Sequence, residues 1–182
     1  MKPPRPRRKA SKRRIGIDNG ARGAIVVIDG ARKPTTIEPM PVVNVGVVRK
    51  GKKGTKNILD MRRVVDVLKE ARDQAGGDVF AVLEHAQVFP GEGRSTAFTA
   101  GRGYGAMEMA LVSLGIPYEI VRPRKWQSAV LNGVEGADTK ARSVIKCRRE
   151  FPTIDLTPGR RRKPMDGIAD AACMALYATM QR

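Results

Sequence analysis

The feature that most restricts the fold is a short, wholly apolar segment in the middle of the chain. Val79–Leu83 follows Gly76 and Gly77 and stops at Glu84. A continuous apolar run of this length is typical of a strand that is covered on both faces, as strands of parallel sheets are. Segments with helical spacing lie on either side of it. The chain therefore predicts an α/β fold in which helices cover both faces of a mixed sheet.

Two apolar runs near the N-terminus predict an antiparallel hairpin. Arg14–Asp18 and Gly23–Ile28 flank the turn signal Asn19-Gly20, and such a pair of runs around an Asn-Gly turn favours a hairpin. Residues 35–37 and 41–48 can supply a third strand. With the central strand and one more at 117–121, we expect five strands.

The segment Arg49–Lys56 contains five basic residues and two glycines, which predicts a flexible basic loop or a hairpin tip. The apolar spacing over 59–75 predicts a helix with Asp60 as its N-cap and Gly76 at its end. Further helices are predicted at 96–114, 123–131, 139–150 and 165–180. We expect one domain over residues 14–182, preceded by a disordered basic arm at 1–13.

The charge balance indicates a polyanionic partner. The 182 residues include 35 Lys and Arg against 18 Asp and Glu, which gives a formal net charge of +17. Such an excess is typical of proteins that bind nucleic acid. The alternative is a basic protein whose charge serves only solubility.

Other patterns disfavour membrane, secreted and disulfide-bonded proteins. No apolar run approaches the ~18 residues of a membrane span, and no apolar segment of a signal peptide follows the basic N-terminus. Cys147 and Cys173 are isolated thiols without the spacing of a metal motif,. We expect a protein without a small-molecule cofactor that acts in the cytoplasm of a bacterium, or in that of the host if a phage encodes it.

Four acidic residues stand where a site would form. Asp18 and Glu84 each end a predicted strand, and Asp166 and Asp170 lie four residues apart on one face of the last helix,. Strand ends of such a sheet converge on one edge. Converging carboxylates repel each other unless a cation lies between them, and hard oxygen ligands select Mg²⁺, with Mn²⁺ as a substitute. On a basic chain this predicts metal-dependent hydrolysis of a phosphodiester.

Each acid also has a simpler interpretation. Asp18 precedes Asn19-Gly20 and can be a turn residue, Glu84 can be a solvated strand end, and Asp166 can interact with a helix dipole. Asp170 is the hardest to explain in this way, because the helix around it is almost wholly apolar.

Cations near these acids are the predicted DNA contacts. Lys140 begins a basic helix that faces either solvent or phosphate, and four consecutive cations shortly before Asp166 can hold the scissile strand or offset carboxylate repulsion. Ala97, Gly101 and Gly105 form a smooth helix face for close packing, either across a dimer axis or on the chain's own sheet. The predicted contacts are Arg94, Arg102, Lys140, Arg160, Arg161, Arg162 and Lys163.

The order and spacing of several motifs resemble the RuvC Holliday junction resolvases, above all their phage-type branch. The resemblance covers roughly residues 14–180 and lies in Ile15-Gly-Ile-Asp18, Leu83-Glu84, Gln87-Val-Phe89, Ser95–Tyr118, Arg122-Pro-Arg-Lys-Trp126, the Lys140 helix and Asp166-Gly-Ile-Ala-Asp170-Ala. It implies a ribonuclease-H-like fold, a homodimer and Mg²⁺-dependent, symmetric nicking of two strands at a four-way junction. Asp18, Glu84, Asp166 and Asp170 match the four catalytic carboxylates, and Phe89 looks like the aromatic residue at the junction centre.

The chain departs from the cellular members at two points. Many of these space the last two acids three residues apart instead of four, and their Glu runs directly into Gln-Val-Phe, whereas His85 and Ala86 intervene here. Two other functions remain open: a nuclease of the same fold that acts on forks, flaps or other branched DNA, and a basic DNA-binding protein without catalysis.

Overall fold

The computed structural model describes residues 11–49, 51–87, 91 and 93–181. In chain order the elements are β1 (Arg13–Asp18), β2 (Ala24–Asp29), β3 (Pro34–Pro39), β4 (Val42–Arg49), β5 (Lys52–Leu59), α1 (Met61–Ala75), β6 (Val79–Glu84), α2 (Arg94–Ser113), β7 (Tyr118–Val121), α3 (Pro123–Val130), α4 (Thr139–Glu150) and α5 (Asp166–Ala178).

The main sheet has five strands in the order β3-β2-β1-β6-β7. β1 pairs antiparallel with β2 and parallel with β6, and β6 pairs parallel with β7. Ile17 is the register partner of Leu83, so Asp18 and Glu84 are the next residues along two neighbouring strands. Adjacent strands lie about 4.8 Å apart. The pairing alone therefore places these two acids side by side.

Helices cover both faces of the sheet, as the apolar central strand predicts. Ile15, Ile17 and Leu83 pack against α1 and α2. The alternate residues Val26 and Val82 pack against α3, α4 and α5 on the other face. Because side chains alternate across a strand, two separate apolar layers form from one set of strands.

α5 packs directly on the centre of the sheet. Eleven of its thirteen residues are buried, and a β-carbon at Gly16 would overlap the carbonyl oxygen of Ala171. A β-carbon at Gly167 would overlap the carbonyl oxygen of Arg22 in the turn after β1. The two glycines allow this close approach. The first turns of α5 therefore lie beside the carboxyl end of β1.

α1 begins and ends as the sequence predicts. The Asp60 side chain accepts a hydrogen bond from the Arg63 amide, and Gly76 ends the helix in the left-handed conformation with φ 59°,. The helical spacing of the sequence also predicts Met61 on the buried face of α1, but this residue is 39% exposed. Val67 and Ala75 are buried there instead.

Of the two alternatives predicted for 49–56, the hairpin tip is confirmed and the flexible loop is wrong. Lys52–Leu59 forms β5, which pairs along its length with β4 in a two-stranded sheet separate from the main one. Asn44 donates to Asn57 across this hairpin at 2.9 Å. The sequence of β5 does not predict a strand, because its residues are polar and mostly exposed. The strand forms because its backbone pairs with that of β4. The third strand of the main sheet is β3 alone.

The strand β1 starts at Arg13, so this residue belongs to the sheet and not to the predicted basic arm. The Arg14 side chain is also buried, and it forms an ion pair with Asp78 at 2.8 Å. Residues 1–10 of the predicted arm lie outside the described residues. Across the described ranges, no helix is both long and apolar enough to cross a membrane.

Candidate active site

Asp18 is held at the end of β1 by the turn that follows it. Its Oδ1 accepts a hydrogen bond from the Gly20 amide at 2.9 Å. A β-carbon at Gly23 would overlap the Asp18 carbonyl oxygen, so this turn requires glycine there,. Burial raises the pKa of Asp18, the Gly20 bond lowers it, Asp166 raises it and Lys140 lowers it.

Glu84 stands beside it at the end of β6. The Asn19 side chain donates to the Glu84 carbonyl oxygen at 3.3 Å, which joins the ends of the two strands. The indole N–H of Trp126 donates to Glu84 Oε1 at 2.8 Å. Burial raises the pKa of Glu84 to about 7; the Trp126 bond opposes this rise, and the charge of Asp18 adds to it.

Asp170 reaches the same place from α5. Burial raises its pKa to about 7, and the charges of Asp18, Glu84 and Asp166 add to the rise. Ser143 is near enough to lower that pKa in part. Even so, Ser143 Oγ and Asp170 Oδ1 are both buried without a hydrogen bond of proper geometry. A buried oxygen without a partner costs free energy, so a cation or another donor bound to Asp170 would stabilise the protein.

Asp166 lies one turn earlier on the same helix and has a cation of its own. Lys140 Nζ is 2.5 Å from Asp166 Oδ2. This hydrogen bond is the largest of the effects that lower the pKa of Asp166. The Lys140 side chain is 72% exposed, so it can leave the carboxylate without disturbing the core. The four predicted acids are thus brought to one edge of the sheet.

The donor set suits a hard divalent cation, because it consists of carboxylate oxygens, one of them buried without a partner,. In this arrangement, however, no three acidic, histidine or cysteine side chains of the described residues are close enough together to hold one ion. Metal binding therefore requires some of these side chains to move, and the exposed Lys140 ammonium would have to release Asp166.

The predicted DNA-binding cations lie on the surface. Arg94 and Arg102 are exposed on α2, and residues 160–163 are exposed in the segment that leads into α5. None of these six forms an ion pair with a described residue, so their charges are available to a polyanion. Phe89 lies outside the described residues, and its role stays a prediction.

Two other predicted features have clear positions. At Gly101 and Gly105 a β-carbon would meet no atom within 4 Å, so this smooth face of α2 does not pack on the chain's own sheet. His85 is exposed, and its ring lies 6.2 Å from that of Tyr104.

Sequence reasoning missed the contact between Trp126 and Glu84. Trp126 is fully buried. A buried indole N–H needs an acceptor, and α3 follows the strand next to β6. These two facts together are the signal that could have pointed to Glu84.

Neither a protein-family model nor a curated protein sequence matches the chain. Its structure is similar to Thermus thermophilus RuvC in complex with a Holliday junction substrate, with a TM-score of 0.54 and 17% identity over 92% of this chain and 96% of that one. Another structure of Thermus thermophilus RuvC gives a TM-score of 0.52 and 18% identity, again over 92% and 96%. These likenesses confirm the predicted ribonuclease-H-like fold, a mixed five-stranded sheet with helices on both faces.

Proposed function

We propose that this protein is a Holliday junction resolvase, a structure-selective endodeoxyribonuclease that nicks two strands symmetrically with a bound divalent metal. The observation that carries the proposal is the meeting of Asp18, Glu84, Asp166 and Asp170 at one edge of the sheet, with the pKa of three of them raised. Carboxylates arranged in this way are poised for a cation. Such an activity would serve DNA recombination and repair in the cytoplasm of a bacterial cell.

The four carboxylates would hold Mg²⁺, or Mn²⁺ in its place. The ion supplies charge neutralisation at the scissile phosphate and an activated water. Asp18 and Glu84 each have one oxygen tied to a neutral donor, which orients the carboxylate and preserves its negative charge. Lys140 would exchange its contact with Asp166 for one with the phosphate, so its ammonium would hold the DNA strand at the site.

The net charge of +17 supports a DNA substrate. The cations at 160–163 run directly into the helix that carries Asp166 and Asp170. Phosphates held by them would lie next to the carboxylates. Arg94 and Arg102 extend the basic surface along α2. Binding through such contacts weakens steeply with salt, because counterions are released from the DNA.

A homodimer would present two such sites to a two-fold junction. Helix α2 offers the surface for it: Phe98, Met109 and Val112 are 73%, 65% and 58% exposed. Their spacing places them on one side of the helix with Gly105. Apolar side chains around a glycine allow two helices to approach closely, which favours the dimer interpretation of this face.

The test compares four substrates with Mg²⁺ or Mn²⁺: a four-way junction, a fork, a flap and a linear duplex. We expect paired, symmetric nicks in the junction alone, and no nicks with Asp18→Asn. Sedimentation at the same concentrations should give a dimer.

Each other outcome favours a different function. Equal cleavage of forks and flaps would identify a more general nuclease for branched DNA. Binding of junctions without any nick in either metal would identify a non-catalytic DNA-binding protein.

A further inference from the structure

Trp126 is the one tryptophan of the chain, and its indole N–H donates to Glu84 Oε1 at 2.8 Å. We propose that Trp126 is a positioning residue, whose N–H holds the Glu84 carboxylate in the orientation that binds the metal. The inference rests on the proposed function in so far as Glu84 is a metal ligand.

The fold fixes the indole in place. β7 pairs with β6 so that Val121 is the register partner of Glu84, and the His85 amide donates to the Val121 carbonyl oxygen at 2.8 Å. α3 starts two residues later, with Pro123 in its first turn. The first turn of α3, which carries Trp126, therefore lies beside the end of β6.

The ring has no freedom to move away from Glu84. Trp126 is fully buried, and it packs in the apolar layer with Val130, Leu131 and Ile168. A buried indole N–H without an acceptor would cost free energy. Glu84 Oε1 supplies the acceptor, so this hydrogen bond fixes the Glu84 carboxylate relative to the buried indole.

The kind of donor matters for the chemistry. A neutral N–H orients a carboxylate but leaves its charge for a cation. Glu84 Oε1 and Asp18 Oδ1 are both held in this way, by Trp126 and by the Gly20 amide. No described group donates a hydrogen bond to Glu84 Oε2. That oxygen is therefore the one offered to a metal, whereas Asp166 is held by the charged Lys140.

A core role and a positioning role make different predictions about the N–H itself. Packing depends on the shape of the ring, and positioning depends on one hydrogen. Because the chain contains a single tryptophan, global replacement with β-(3-benzothienyl)alanine exchanges only this N–H for sulfur in a ring of nearly the same shape. Global replacement with 5-fluorotryptophan alters the ring but keeps the N–H, and is the matched control.

The experiment titrates Mn²⁺ into the full chain without DNA, by calorimetry or by the electron paramagnetic resonance of free Mn²⁺. We expect the benzothienyl protein to bind Mn²⁺ about tenfold more weakly than the wild type, in line with the loss of other groups that orient metal ligands. The 5-fluorotryptophan protein should bind like the wild type. Trp126→Phe, which also lacks the N–H, should show the same loss if the benzothienyl protein does not fold.

The outcomes separate this inference from the proposed function. Equal Mn²⁺ affinity of the wild type and the N–H-free proteins overturns the inference, even if junctions are cleaved. A wild type that binds no Mn²⁺ overturns the inference and the metal centre together. The expected loss of affinity in a protein that cleaves no junction leaves the positioning role supported, and only the proposed function fails.

Discussion

Asp166 and Asp170 stand one turn apart on α5, yet their surroundings are opposite. Lys140 contacts Asp166 and lowers its pKa. Asp170 has a buried oxygen without a partner, and its pKa is raised to about 7. One carboxylate thus brings a cation of its own from α4, and the other can be neutralised only by a proton or an added ion. The comparison indicates that Asp170 is the stronger anchor for a metal, and that Lys140 must yield before Asp166 takes part.

The largest effect should come from Asp170→Asn. This change removes the carboxylate with the greatest need for a cation, and we expect junction cleavage to fall by several orders of magnitude. Single-turnover cleavage with saturating Mn²⁺ measures it. Glu70→Gln, in an exposed acid on α1 at the other face of the sheet, is the control. Full activity of Asp170→Asn would remove it from the catalytic set.

The same substitution should stabilise the metal-free protein at pH 8. The folded-state pKa of Asp170, about 7, lies above its ordinary value of 3.8, so the folded chain retains a proton that the unfolded chain has lost between these values. Stability therefore falls as the pH rises through this window. At pH 8 we expect Asp170→Asn to raise the free energy of unfolding by about 1–3 kcal/mol, and therefore to raise the unfolding temperature.

Thermal unfolding at pH 5 and pH 8 with a chelator measures this. Glu84, with its pKa also raised to about 7, adds to the same loss in the wild type and keeps part of the slope in the mutant. A wild type that is equally stable at both pH values would contradict the raised pKa values of both acids.

Lys140→Gln removes the cation that is paired with Asp166, and this should change the affinity for metal. The ammonium competes with a metal for Asp166, so its removal should strengthen Mn²⁺ binding without DNA. The exposed pair is worth at most about 1 kcal/mol, which corresponds to roughly fivefold in affinity. Lys146→Gln breaks the Lys146–Glu150 pair on the same helix and is the control. Weaker Mn²⁺ binding by Lys140→Gln would show that Lys140 supports the metal site instead.

The smallest effect should come from Asp166→Asn on stability. The lowered pKa of Asp166 means that its pairing stabilises the fold above the ordinary value of 3.8, and that this contribution is lost as the pH falls through the folded-state value,. Because Lys140 is largely exposed, we expect a loss of less than about 1 kcal/mol at pH 8. Chemical denaturation measures it. A gain in stability, as with Asp170→Asn, would erase the contrast between the two acids.

Local sequence determined much of this molecule. The run Val79–Leu83 predicts β6 because an apolar strand has to be covered on both faces, and Asp60 with Gly76 delimits α1 because caps act on their own helix ends. Asp18 and Glu84 each end a strand, so their meeting at one edge was also predictable. β5 was not, since its polar residues form a strand only against β4.

Tertiary structure alone decided how the four carboxylates differ. Trp126 lies 42 residues from Glu84 along the chain, and Lys140 comes from another helix to reach Asp166. The pKa of a carboxyl depends on its burial and on the charges and donors that surround it, and these are set by the packing of α3, α4 and α5 on the sheet. The sequence alone therefore identified four similar acids. The fold orients Asp18 and Glu84 through neutral donors, pairs Asp166 with Lys140, and buries one oxygen of Asp170 without a partner.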